Sequence, residues 1–158
     1  MAQDIMNKHY VAEISRVAAV YGTGHILSVE MDENRDNGSL VAIDAYKGGE
    51  YYGVKPFAGT LNAKVIEVVY NSNLTMVRFE LQEDCEAYFI HNPETMPNDF
   101  LKSYTERHCF YNAKGDRVRA YPMVKHDVFT VSVDAFGGVV PTVGQSVTWT
   151  DGTGYVAA

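Results

Sequence analysis

From Gly115 to Phe136 the chain reads GDRVRAYPMVKHDVFTVSVDAF, an almost unbroken alternation of side chains suited to a core and side chains suited to water. A period of two is that of a β-strand, whose successive side chains leave opposite faces, and it does not suit a helix, whose apolar positions recur every three or four residues. Pro122 cannot donate a ladder hydrogen bond and so belongs at an edge or a strand end. Lys125-His126-Asp127 reads as a turn that divides the run in two. Beyond it Phe129, Val131 and Val133 alternate with Thr130, Ser132 and Asp134 until Gly137-Gly138 and Pro141 stop the strand.

The same grammar recurs along the chain. His25 to Met31 reads as a strand with Leu27, Val29 and Met31 on one side, followed by the turn-rich Asp32 to Gly38. Ser39 to Tyr46 alternates again, and Tyr51 to Gly59 reads as an irregular loop or a short strand. Lys64 to Tyr70 and Leu74 to Leu81 form the clearest hairpin, joined by Asn71-Ser72-Asn73. The region from Glu94 to Tyr104 loosens, with a helical turn or two from Asn98. Val147 and Trp149 mark a late strand, and Asp151 to Gly154 a turn into the tail. Near the start, Val11, Ile14, Val17 and Ala18 fit one face of a short helix or lie in an extended arm.

Many short strands separated by turn signals predict a mainly β fold: an antiparallel β-sandwich or β-barrel with at most one or two short helices. A chain of 158 residues fits one domain with a core large enough to need no metal or disulfide staple. The expected organisation is an N-terminal arm or short helix over 1–20 and a single β-rich domain over 21–158.

The formal charge of −7 argues against a nucleic-acid partner, because non-specific binding to phosphates needs a basic surface. The charge is uneven, however: between residues 100 and 125 Lys102, Arg107, Lys114, Arg117, Arg119 and Lys125 face only Glu106 and Asp116. No apolar run reaches the roughly 18 residues of a membrane-spanning helix, so no membrane partner is expected. The first residues lack the basic flank and apolar stretch of a secretory signal, so synthesis in a cytoplasm is expected, with Cys85 and Cys109 as thiols.

Catalytic and metal chemistry find little footing. His9, His25, Cys85, His91, His108, Cys109 and His126 lack the paired spacing with which one turn presents two ligands to zinc. No nucleophile motif is present, and Cys109 beside Phe110 reads as a small core residue. Glu83, Asp84 and Glu86 read as a solvated loop without the spaced oxygens of a calcium site. The isolated Gly-Thr-Gly sequences at 22–24 and 152–154 read as turns. No enzyme activity, cofactor or metal is expected. Arg117 and Arg119 stand apart: two residues apart on an alternating strand, they share a face and can aim two guanidinium forks at a carboxylate-bearing partner.

Phe110-Tyr111-Asn112 with Gly115, Arg119-Ala120-Tyr121, His126 to Ser132, Asp134-Ala135-Phe136 and Val143-Gly144-Gln145 together resemble the C-terminal half of small tailed-bacteriophage head proteins. Asn37 to Val41 resembles their opening strand. The sequence has His126 where that pattern favours glycine before the aspartate. The resemblance implies a capsid decoration, or cement, protein: a non-enzymatic virion component, made in the host bacterial cytoplasm, that binds the outside of the shell and stabilises it. Its implied partners are the major capsid protein and copies of itself. Arg117, Arg119, Lys114 and Tyr121 are the expected capsid contacts, since Tyr and Arg are enriched among interface anchors. The alternative is a tail or head-fibre module that binds host carbohydrate through an exposed Trp149 and clustered tyrosines.

Overall fold

The computed structural model describes residues 2–3, 9–13, 26–70, 74–93 and 110–158. Among these, 54 % are strand and 3 % helix, so the fold is mainly β. The strands are β1 (Ala2–Gln3), β2 (Leu27–Glu30), β3 (Leu40–Tyr46), β4 (Tyr52–Pro56), β5 (Ala63–Tyr70), β6 (Thr75–Leu81), β7 (Cys85–His91), β8 (Phe110–Tyr111), β9 (Arg117–Met123), β10 (Val128–Ser132), β11 (Ser146–Thr150) and β12 (Gly154–Ala157). The expected 94–104 turns and the Asn71-Ser72-Asn73 loop lie outside the described residues, as does most of 1–20.

Both expected architectures occur, one packed on the other. β2, β4, β3, β7 and β9 close into a barrel, and β10, β6, β5, β11 and β12 form a second sheet. The barrel departs from the antiparallel expectation at one joint, where β2 and β4 run parallel. Geometry requires it: strands that alternate direction all the way round a closed ring must be even in number, and five is odd.

Two cores follow from this layering. Val29, Met31, Val41, Val54, Ile90, Val118 and Ala120 fill the barrel interior. The opposite faces of the same strands present Leu40, Ala87, Phe89, Tyr121 and Met123 to the second sheet, where Val65, Val77, Phe79, Phe129, Val131, Val147 and Tyr155 meet them. A line of rings crosses the join, with Phe89 4.7 Å from Phe129, Phe79 5.1 Å from Tyr155 and Trp149 4.8 Å from Tyr155. The Tyr155 hydroxyl, fully buried, donates to the carbonyl of Gly38 at 2.5 Å and so ties the sheet to the chain entering β3. Burial raises its pKa well above the ordinary tyrosine value.

Local chemistry sets the register. In the β5–β6 hairpin a bulge between Val65 and Glu67 shifts the core face from Val65 to Val68. Pro122 pairs with Tyr88 but lies beyond Ala120, the last partner of β2, so its missing amide is not needed on that side. β10 ends at Ser132, two residues short of the expected alternation: Val133–Phe136 winds into a 3-10 turn that buries Ala135 and Phe136.

β9 is framed by two turns of one construction. In Ala113-Lys114-Gly115-Asp116 the Asp116 carboxylate accepts from the Ala113 amide at 2.9 Å, and in Val124-Lys125-His126-Asp127 the Asp127 carboxylate accepts from the Val124 amide at 3.1 Å. The third residue is left-handed in both, with φ 88° at Gly115 and φ 75° at His126. The histidine therefore occupies a conformation that glycine adopts without a Cβ penalty.

At the N-terminus, residues 11–13 lie along the outer edge of β10. Ala12 bridges Val131, the Ser132 amide donates to the Val11 carbonyl, and the Val11 amide donates to the Ser132 hydroxyl at 2.9 Å. Val11 and Ala12 are buried. The first residues of the expected helix are thus extended, and the remainder of that helix lies outside the described residues.

Candidate interaction surface

The second sheet covers only part of the barrel wall, and β9 crosses its margin. Arg117 and Arg119 are exposed on the outer face, opposite the buried Val118 and Ala120, as the alternation requires. Tyr121 shares their parity but is 6 % exposed and packs in the core between barrel and sheet. Its expected role as a contact residue is therefore corrected: the face that carries it has passed beneath the second sheet. Lys114 is exposed in the turn leading into β9, where its amide donates to Asn34 Oδ1 at 3.0 Å.

The two arginines have an ordered neighbourhood. Arg117 lies across from Glu30 on β2, and Arg119 across from Ser28 on β2 and His91 on β7. The Arg117 guanidinium sits 4.2 Å from the centroid of the Tyr51 ring, a cation–π contact that pre-orders the fork at little cost in solvent access. Lys47 reaches Glu30 at 3.8 Å, closing the row. Tyr51, Lys47 and Glu30 are contributions that sequence alone did not reveal, because they come from β2 and the β3–β4 connection. The Gly48-Gly49 turn was the only local cue, marking a tight reversal that brings Tyr51 back beside the barrel.

A polar cavity of about 220 Å³ lies at the other junction, where the loop before β3 meets the β11–β12 turn. At its wall Arg35, with a side chain 4 % exposed, is held by Asp32 at 2.9 Å, Glu33 at 2.9 Å and Asp151 at 2.8 Å. Burial works to lower the Arg35 pKa, but the Asp32 and Asp151 carboxylates outweigh it and raise the value. Burial likewise works to raise Asp32, and the Arg35 hydrogen bond and charge outweigh it, holding the carboxyl below its ordinary range. Asp36 beside them accepts from the Tyr10 amide at 3.1 Å and pairs with His9 at 2.5 Å, fastening residues 9–10 to this loop. With its positive charge matched by three carboxylates, Arg35 is a clamp between layers rather than a free anion receptor.

Trp149 also borders this cavity, but it is 8 % exposed and edge-on to Tyr155. The expectation of an exposed indole for stacking on sugars is corrected accordingly. Among the described residues no group of three or more His, Cys, Asp or Glu is placed to hold a metal ion. His108 and Cys109 lie outside those residues. Cys85 is a free thiol, its pKa raised chiefly by burial.

A second, different surface lies along β12. Val139, Val140 and Val143 on the loop before β11 are 70 %, 45 % and 59 % exposed, and Val156 on β12 is 45 % exposed. Val139, Val140 and Val156 line a mostly apolar groove of about 240 Å³ with Phe136, Pro141 and Ala157, to which Thr142 and Gln145 add polar groups. Sequence reading passed over this surface, although a signal was there: no charged residue occurs from Phe136 to Thr150.

Comparison of the chain with protein-family models, with curated proteins and with solved structures found no match.

Proposed function

We propose that this chain is a non-enzymatic virion structural protein that binds the outer surface of a phage capsid and stabilises the expanded shell. The observation that carries the reading, beside the resemblance of the head-protein segments, is the uncovered barrel wall: Arg117 and Arg119 project side by side from β9, with Tyr51 beneath Arg117, on a chain whose net charge is −7. A barrel filled by aliphatic side chains supports the same reading, since such a body works by presenting its outside.

The partner is the major capsid protein, and the arginine pair addresses carboxylates on its outer face. Arginine forks engage carboxylates bidentately, which fixes orientation as well as adding affinity. A stable contact buries on the order of 800 Å² per partner, so the arginines anchor a larger patch that includes Lys114 and Tyr51. Attachment at many equivalent positions on a symmetric shell adds avidity. A chain that binds only the expanded shell stabilises that state by mass action.

The experiment is co-sedimentation of the purified protein with empty capsids of its virus in precursor and expanded forms. Saturable binding to the expanded form, weakened at least tenfold by the double substitution Arg117→Glu and Arg119→Glu, is the expected result. Binding to neither form overturns the capsid reading, and wild-type binding by the doubly substituted chain overturns the assignment of the face.

A further inference from the structure

We infer that the outer edge of β10 is a strand-acceptor site, and that residues 9–13 of a second copy of this chain can fill it in place of the chain's own. The inference does not depend on the capsid reading, because it concerns the chain in solution.

The site is defined by the segment seated in it. Residues 11–13 extend the second sheet by one short antiparallel strand: the Ser132 amide donates to the Val11 carbonyl at 2.6 Å, the Glu13 amide donates to the Thr130 carbonyl at 3.1 Å, and Ala12 lies opposite Val131 between them. Side chains approach most closely at such a non-bonded pair, and both Ala12 and Val131 enter the core between the layers. Backbone bonds of this kind supply affinity to an added strand, and pockets for alternate side chains supply its specificity.

The alternate side chains here are Tyr10 and Ala12, and each falls on a glycine. A Cβ at Gly38 would stand 3.4 Å from that of Ala12 and 3.0 Å from Cγ1 of Val131, and a Cβ at Gly154 would stand 2.5 Å from the Tyr10 hydroxyl. Asp36 adds a polar grip: it accepts from the Tyr10 amide at 3.1 Å and pairs with His9, whose ring stacks on Tyr111 at 5.0 Å. β10, the loop before β3 and the β11–β12 turn thus form a socket fitted to an extended His-Tyr-Val-Ala segment.

Position in the chain makes that segment exchangeable. It lies within the first thirteen residues, and β2 to β7 and β9 to β12 keep their ladder partners when it leaves. A second copy carries the same residues, so its segment makes the same contacts and exchange loses none of them. Residues 14–25 separate the segment from the barrel, a length that extends over at most about 45 Å, against a radius of gyration of about 15 Å for a chain of this size. The segment therefore reaches the socket of an adjoining copy.

The test adds a fluorescent peptide of residues 1–13, standing for the segment of a second copy, to the full chain and follows its anisotropy. In the unsubstituted chain the resident segment competes at an effective concentration on the order of millimolar. Glu13→Pro removes the amide that bonds Thr130 and releases the resident segment, seen as faster hydrogen exchange at the Ser132 amide, and this chain is expected to bind the peptide at least tenfold more tightly. The same peptide carrying Ala12→Leu, too large for the space over Gly38, is expected not to bind. The unsubstituted chain gives a second measurement that needs no variant to fold: native mass spectrometry with millimolar peptide should show one peptide added per chain. Ser132 exchange unaltered by Glu13→Pro, no gain in affinity, binding indifferent to Ala12→Leu, or no complex with the unsubstituted chain overturns the inference.

Discussion

Arg35→Met replaces a buried guanidinium by an apolar side chain of similar length and leaves its three carboxylates without their cation. Arg35 is held through Nε and Nη2 by Asp32, through Nη2 by Glu33 and through Nη1 by Asp151, so the change severs the loop before β3 from the β11–β12 turn. Removing one member of a buried ion pair typically costs about 3–5 kcal/mol, because a charge is left buried and uncompensated. Here the carboxylates are 29 %, 58 % and 29 % exposed, so water recovers part of the loss. Discounting for that solvation gives about 2–3 kcal/mol. At about 2–4 °C per kcal/mol for a chain of this length, the melting temperature falls by roughly 4–12 °C. Urea unfolding and thermal melting measure it. The pH profile supplies a second readout. The folded Asp32 pKa lies below the ordinary aspartate value of 3.8, so its contribution is fully present above that value and is lost as pH falls through the folded one. The wild type should lose this increment in acid below about pH 3.8 and Arg35→Met should lack it. A destabilisation under about 0.5 kcal/mol, within the range of ordinary surface substitutions, would refute the clamp.

Tyr155→Phe leaves the Gly38 carbonyl without its buried donor and should cost about 1–3 kcal/mol in urea unfolding with no change in far-ultraviolet dichroism. Tyr121→Ala should cost about 3–5 kcal/mol by opening the core between the layers, whereas Arg119→Ala, two residues away on the same parity, should stay within about 0.5 kcal/mol. Equal costs for that pair would mean that β9 does not cross the margin of the second sheet. His126→Gly relieves a left-handed residue and should raise stability by about 0.5–1 kcal/mol, measurable as a higher melting temperature; a loss would place the value of the histidine in its side chain.

The strands most legible in the sequence are those with one wet face. The β5–β6 hairpin, β2, β3 and β10 alternate because one side meets a core and the other meets water. β7 was missed for the opposite reason. Phe89 faces the second sheet and Ile90 the barrel interior, both fully buried, so the strand reads Ala-Tyr-Phe-Ile-His without a polar beat. A doubly buried strand loses the period that would announce it, and of the acidic residues that read as a loop only Glu83 and Asp84 precede the strand, while Glu86 lies within it. Barrel closure was illegible too, since it depends on β2 meeting β4 and β9, contacts between segments far apart in sequence.

The candidate surface divides in the same manner. Parity placed Arg117 and Arg119 on one face, and the structure exposes both; Tyr121, expected as a contact for its residue type, shares their parity but is buried. Alternation states which side a residue leaves, but it does not state what lies on that side. Along β9 the outer side is solvent at Arg119 and the second sheet at Tyr121, so one face is surface for one half of the strand and core for the other. The change follows the chemistry of the residues: charged side chains occupy the uncovered half, and Tyr121 with Met123 the covered half. The arginines are confined to the uncovered wall because a guanidinium beneath the sheet would need carboxylate partners like those of Arg35, and the sheet face there offers Phe79, Phe129 and Val131 instead. Their exposure is thus a consequence of the two-layer fold, and the capsid proposal rests on what that exposure leaves available to a partner.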